Sequence, residues 1–76
     1  MNIAMDALIK RINRRLAAKG EQLKRARGQR DRAKLGDYYV LDVDRNVVIA
    51  QQVDPENVGR KMGALRKGET LLREIG

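Results

Sequence analysis

The sequence predicts an α+β domain, a small antiparallel sheet of two or three strands packed against an N-terminal and a C-terminal helix in the order α-β-β-β-α. Three observations lead there. An apolar stripe at helical spacing fills the first part of the chain, a β-rich run, turn cluster and second β-rich run follow near the middle, and Asp54-Pro55-Glu56 is a strong helix start. The 76 residues are read as one small domain, residues 1–76, with residues 66–76 as a loosely packed tail. That length is near the limit at which a single core outweighs chain entropy, so a homo-oligomer is among the expected assemblies.

The first element is the clearest. Met5, Leu8, Ile9, Ile12 and Leu16 fall within about 100° of one another at 3.6 residues per turn. Lys10, Arg11, Arg14 and Arg15 project from the other side. Alanines fill the gaps, and Lys19-Gly20 offers a cationic last turn and a residue that accepts positive φ. A helix over residues 3–19 is expected.

Residues 20–34 carry Leu23 as their only large apolar residue, bracketed by Gly20 and Gly28. By propensity residues 21–27 suit a helix, but a polar edge strand is preferred, because a lone two-stranded hairpin is marginal and gains from a third strand. Residues 28–36 are read as a basic loop.

In the hairpin, Tyr38 to Val43 and Val47 to Ala50 flank Asp44-Arg45-Asn46, and Asn46 suits the left-handed conformation of such a turn. Alternation offers Tyr39, Leu41 and Val43 as the core face. The second helix follows from Asp54 as cap, Pro55 at the first helical position and Glu56 at the positive end of the dipole. Val58, Met62 and Leu65 form its apolar face. Residues 69–75 suit a further helical turn in which Leu71, Leu72 and Ile75 dock on the core or on a partner.

Composition narrows function. The chain has no Ser, Cys or His, and Thr70 is its only aliphatic hydroxyl, so the usual nucleophile and base pairings cannot be assembled and an enzyme is not expected. No disulfide, cofactor or metal is expected either. Asp42-Val43-Asp44-Arg45-Asn46 copies the first half of a calcium loop, but Val47 stands where that loop needs Gly and Val53 where it needs a bidentate Glu. A β-turn explains the acids better. Asp6, Lys10 and Arg11 interrupt the apolar N-terminus, so neither a signal peptide nor a membrane span is foreseen and a cytoplasmic location is expected.

Charge is the most informative feature. Residues 1–34 carry a net +8, residues 35–57 a net −4 and residues 58–76 a net +3. A basic surface beside an acidic middle is what a chain presents to a polyanion. The candidate nucleic-acid contacts are Arg11, Arg14 and Arg15 on the first helix, then Lys24, Arg25, Arg27, Arg30 and Arg32 after it. Most are Arg, whose fork suits phosphate oxygens. Phosphate contacts give affinity without reading sequence, so DNA and RNA are equally open. The competing readings are a solvated basic face on a module that binds an acidic or apolar protein partner, and a membrane-surface role for the first helix, which needs its stripe for its own core.

The order helix, strands, helix resembles the double-stranded-RNA-binding domain, whose last helix lays a dense Lys and Ala motif across phosphates. Arg60-Lys61-Met62-Gly63 departs from that motif. Val58 to Ala64 followed by Thr70 to Arg73 is similar to a helix-turn-helix, with a longer connector broken by Gly68; a plain helix and short tail is the preferred reading. Closer in residue detail, Leu35 to Asp42, Asn46-Val47-Val48, Val53-Asp54 with Gly63, and Ile12 to Ala17 resemble small uncharacterised bacterial proteins of the kind found with mobile elements. That resemblance implies a bacterial accessory protein and carries no activity or site.

Overall fold

In the computed structural model, which describes residues 2–71, the elements run β1 (Asn2–Ile3), α1 (Met5–Leu16), β2 (Glu21–Arg25), α2 (Gly28–Leu35), β3 (Tyr38–Asp42), β4 (Val47–Ala50), α3 (Pro55–Lys61) and β5 (Thr70–Leu71). β2, β3 and β4 form an antiparallel sheet in that spatial order, while β1 and β5 form a separate parallel pair. The fold is thus mixed α/β with three helices. The expected α-β-β-β-α order is not matched, because α2 lies between β2 and β3, and with it the topological likeness to the double-stranded-RNA-binding domain is lost.

α1 forms for the reason its pattern gives. Leu8, Ile12 and Leu16 are buried, Met5 and Ile9 pack at the margin, and all meet Leu23, Val40 and Leu65 in one core. The helix is shorter than expected. Asn2 and Ile3 are extended, and residues 17–19 tighten into a 3-10 turn ended by Gly20 at φ 71°. The apolar stripe of α1 is consumed by this core, which removes the physical basis for laying it on a membrane. Among the described residues no helix is long and apolar enough to cross one.

β2 forms where the polar edge strand was expected. The loop foreseen over residues 28–36 is instead α2. Gln29 to Leu35 are good helix formers, with Asp31 in the first turn and Arg32 and Lys34 in the last, the arrangement a helix dipole favours. No residue of α2 is buried, so apolar periodicity could not reveal it. Gly36 closes it at φ 77°, where an added Cβ would stand 2.8 Å from Gln52 Cα.

The hairpin is as expected, with Asn46 at φ 56°, but its core face is the opposite one. Val40 pairs with Leu23 across β2 and with Ala50 across β4. That face, with Tyr38, joins the core. Tyr39 and Leu41 lie on the other side. Apolar bulk along β3 alone favours Tyr39, Leu41 and Val43; the register with Leu23, under α1, decides otherwise. A bulge between Val40 and Leu41 then shifts the partner strand. In the turn, Asp42 Oδ1 accepts from the Arg45 N–H at 3.2 Å, and among the described residues no group of three or more acidic side chains is placed to hold a metal ion.

α3 begins as the sequence directs, with Asp54 Oδ1 accepting the Glu56 N–H at 3.0 Å and Pro55 at the first position. It lies against α1, and Gly59 permits the approach: a Cβ there would meet Leu8 Cδ1 at 2.8 Å. The helical turn expected over residues 69–75 is absent where it is described. Thr70 and Leu71 are extended and pair with Asn2 and Ile3, Thr70 Oγ1 donating to Asn2 Oδ1 at 2.6 Å. Long-range pairing overrides local propensity there, and the second helix of a helix-turn-helix cannot start at Thr70. Leu71 is buried; Leu72 and Ile75 lie outside the described residues. The described residues extend over 36 × 32 × 15 Å.

Candidate nucleic-acid interface

The basic residues divide along the two flanks of α1. Four-residue spacing puts Arg11 and Arg15 on the flank beside the turn that follows α3. Arg11 Nη1 donates to Glu69 Oε1 at 3.0 Å, to Oε2 at 3.2 Å and to the Ala64 carbonyl at 3.3 Å. Arg15 Nη1 donates to the Met62 carbonyl at 2.7 Å and Nη2 to the Gly63 carbonyl at 3.3 Å. These guanidinium groups thus satisfy the carbonyls of the cap residue Met62 and of Gly63 and Ala64 in the turn after it.

Glu69 organises the same corner. Its Oε1 also accepts the Arg66 N–H at 2.8 Å, and its carbonyl accepts from Arg60 Nη2 at 3.4 Å. The Arg66 N–H holds the Glu69 carboxyl below the ordinary carboxylate range; partial desolvation opposes this and the Arg11 guanidinium adds to it. The carboxylate is therefore charged at neutral pH and committed to the scaffold.

Between these groups lies a cleft of about 250 Å³ lined by Arg11, Arg14, Arg15, Gly63, Ala64 and Arg66. Arg11 and Arg15 are held by fixed acceptors, whereas the side chains of Arg14 and Arg66 make no hydrogen bond among the described residues; the Arg66 charge acts on Glu69 at longer range. Four guanidinium groups therefore border a cavity whose nearest paired acid is Glu69. Such a cluster repels itself, and an oxyanion relieves that repulsion while accepting several N–H groups at once.

On the opposite flank, Ile9 and Asn13 face β2 across a groove of about 670 Å³ bordered by Lys24, Arg25, Arg27 and Arg32. Asn13 closes the edge of β2 there. Its Oδ1 accepts the Leu23 N–H at 2.7 Å and its Nδ2 donates to the Leu23 carbonyl at 3.2 Å. Lys24, Arg25, Arg27 and Arg30 are exposed and their side chains unpaired among the described residues. Arg32 lies 4.0 Å from Asp37, and both groups are largely exposed, a pairing of little energetic weight.

Of the eight residues singled out in the sequence, Arg11, Arg14 and Arg15 share the cleft, while Lys24, Arg25, Arg27 and Arg32 border the groove and Arg30 sits on α2. Arg11 is the most engaged in the protein's own structure. Sequence reasoning missed Arg66, which the turn after α3 brings to Arg14; the excess charge of residues 58–76 was the available signal. It missed Asn13 as well, since an amide on a helix flank carries no pattern. In comparisons with known proteins, no family model, curated protein or solved structure matches the chain.

Proposed function

We propose that this protein is a non-catalytic binder of nucleic-acid backbone, a bacterial cytoplasmic accessory protein of the kind its sequence resembles. The cleft of Arg14 and Arg66 seats one phosphate, with Arg11 and Arg15 as its rigid walls, and the exposed cations of residues 24–32 neutralise neighbouring phosphates. The observation that carries this reading is the convergence of four arginines on one cavity, two of them fixed by backbone or carboxylate acceptors and two without a side-chain hydrogen bond among the described residues. Preorganised donors lose less freedom on binding than free side chains do.

None of these contacts reads base edges, so the binding is indifferent to sequence and dominated by counterion release, with dissociation constants of about 10⁻⁴–10⁻⁶ M at physiological salt. Tyr39 lies on the sheet face opposite Val40, and with no Trp or Phe in the chain base stacking contributes little. The test is a titration of isotopically labelled protein with a short duplex, followed by amide chemical shifts. Movement of Gly63, Ala64 and Arg66 together with residues 24–32, while Val47 to Ala50 stay still, supports the reading. Shifts spread evenly over the surface, or none, would refute it.

A further inference from the structure

We propose that β4 pairs antiparallel with β4 of a second copy, joining two three-stranded sheets into one of six strands. The observation is a contrast between the two edges of the sheet. At β2, alternation turns the backbone groups of Glu21, Leu23 and Arg25 outward, since Gly20 and Ala26 bond toward β3 and its flanks. Asn13 closes the Leu23 pair, and Lys24 and Arg25 place charge along the strand. Those are the usual means by which a protein prevents an edge from recruiting another strand.

β4 has neither the side-chain cover nor the charge among the described residues, although it is four residues long and bulged opposite Val40. Residues 46–53 contain no charge and no proline, and no strand of the described residues pairs with the outer side of β4. Among the described residues the exposed large apolar ones are Val47 at 50% and Ile49 at 49% in this strand and Val43 at 50% in the hairpin before it. Asp42 pairs with Val47 through the inward groups, which turns the Val48 N–H and carbonyl outward.

A second copy suits this edge better than an acidic or basic partner does, because the edge is uncharged and complementary to itself. With the two-fold axis through Val48, the two Val48 residues exchange their outward N–H and carbonyl bonds and Val47 faces Ile49 of the other copy, so that exposed apolar side chains meet. The two Asp44 positions lie about 26 Å apart at 3.3 Å per residue, so like charges are separated. The closed β2 edge stops growth at two chains, and two basic faces on one particle raise avidity for a long polyanion. The pairing does not depend on the nucleic-acid reading.

Sedimentation equilibrium of the full chain from about 1 μM to 1 mM, without nucleic acid, tests it. A reversible dimer is expected, and Ile49→Lys should weaken it about tenfold or more by placing a charge in the joint. Arg25→Glu, on the other edge, should leave it unchanged. Because the Ile49 variant could lose its fold, concentration-dependent slowing of Val48 amide exchange in the natural chain gives a second readout. A monomer throughout the range, a dimer insensitive to Ile49→Lys, or open-ended polymers would each overturn the proposal.

Discussion

Asn13 and Glu69 show how single polar side chains hold this small protein together. Asn13 satisfies both backbone groups of Leu23, a residue 2% exposed, from a helix that otherwise contributes only apolar contacts to β2. Replacing it with Ala leaves a buried donor and acceptor unmet, which should cost about 1–3 kcal/mol in urea unfolding. Glu69 links α1 to the turn after α3 through Arg11 and the Arg66 N–H. Its carboxyl is depressed in the folded chain, so the stabilisation it gives is present above its unfolded pKa and is lost as pH falls through the folded one. Glu69→Gln should therefore melt at a lower temperature than the natural protein at neutral pH. The two should converge in acid, where the natural side chain is also neutral. A difference that persists unchanged in acid would mean that Glu69 acts through its shape and not its charge.

At the level of elements, the closest packing is α3 on α1 at Gly59. Alanine is the better helix former by about 0.8–1.0 kcal/mol, but its Cβ would stand 2.8 Å from Leu8 Cδ1. Gly59→Ala should be net destabilising, with overpacking costing about 1–3 kcal/mol; thermal unfolding reads the sign directly. α2 behaves in the opposite way. With no buried residue it is held by little beyond its own hydrogen bonds, so its amides should exchange far faster than those of α1 in native-state hydrogen exchange. The same physics explains what was legible in the sequence. α1 announced itself because Leu8, Ile12 and Leu16 must share a face, and α3 because Asp54 and Pro55 act locally at its first turn. α2 buries nothing and left no period to read. The inward face of β3 was misread because it is set by Val40 meeting Leu23, and β1 and β5, two residues each, exist only through each other. In the candidate site, the arginines of α1 were visible as a cluster, whereas Arg66 reaches them only through the turn that α3 and Glu69 build.

For the whole molecule, the fold turns a lopsided charge sequence into a lopsided surface. The acids of the hairpin and of the approach to α3 do not line the arginine cleft, and among the described residues no strand pairs with the outer edge of β4. The central claim is that Arg14 and Arg66 take a phosphate while Arg11 serves the scaffold. Its most direct test is the slope of log K against log salt, from fluorescence anisotropy on a labelled duplex, for the natural chain and for Arg14→Gln with Arg66→Gln. Each phosphate neutralised contributes about −0.9 to that slope, so emptying the one-phosphate cleft should make it shallower by about 1 with the fold intact. An unchanged slope and affinity in the double variant would contradict the account, and the cleft would then be no more than the means by which α1 caps α3.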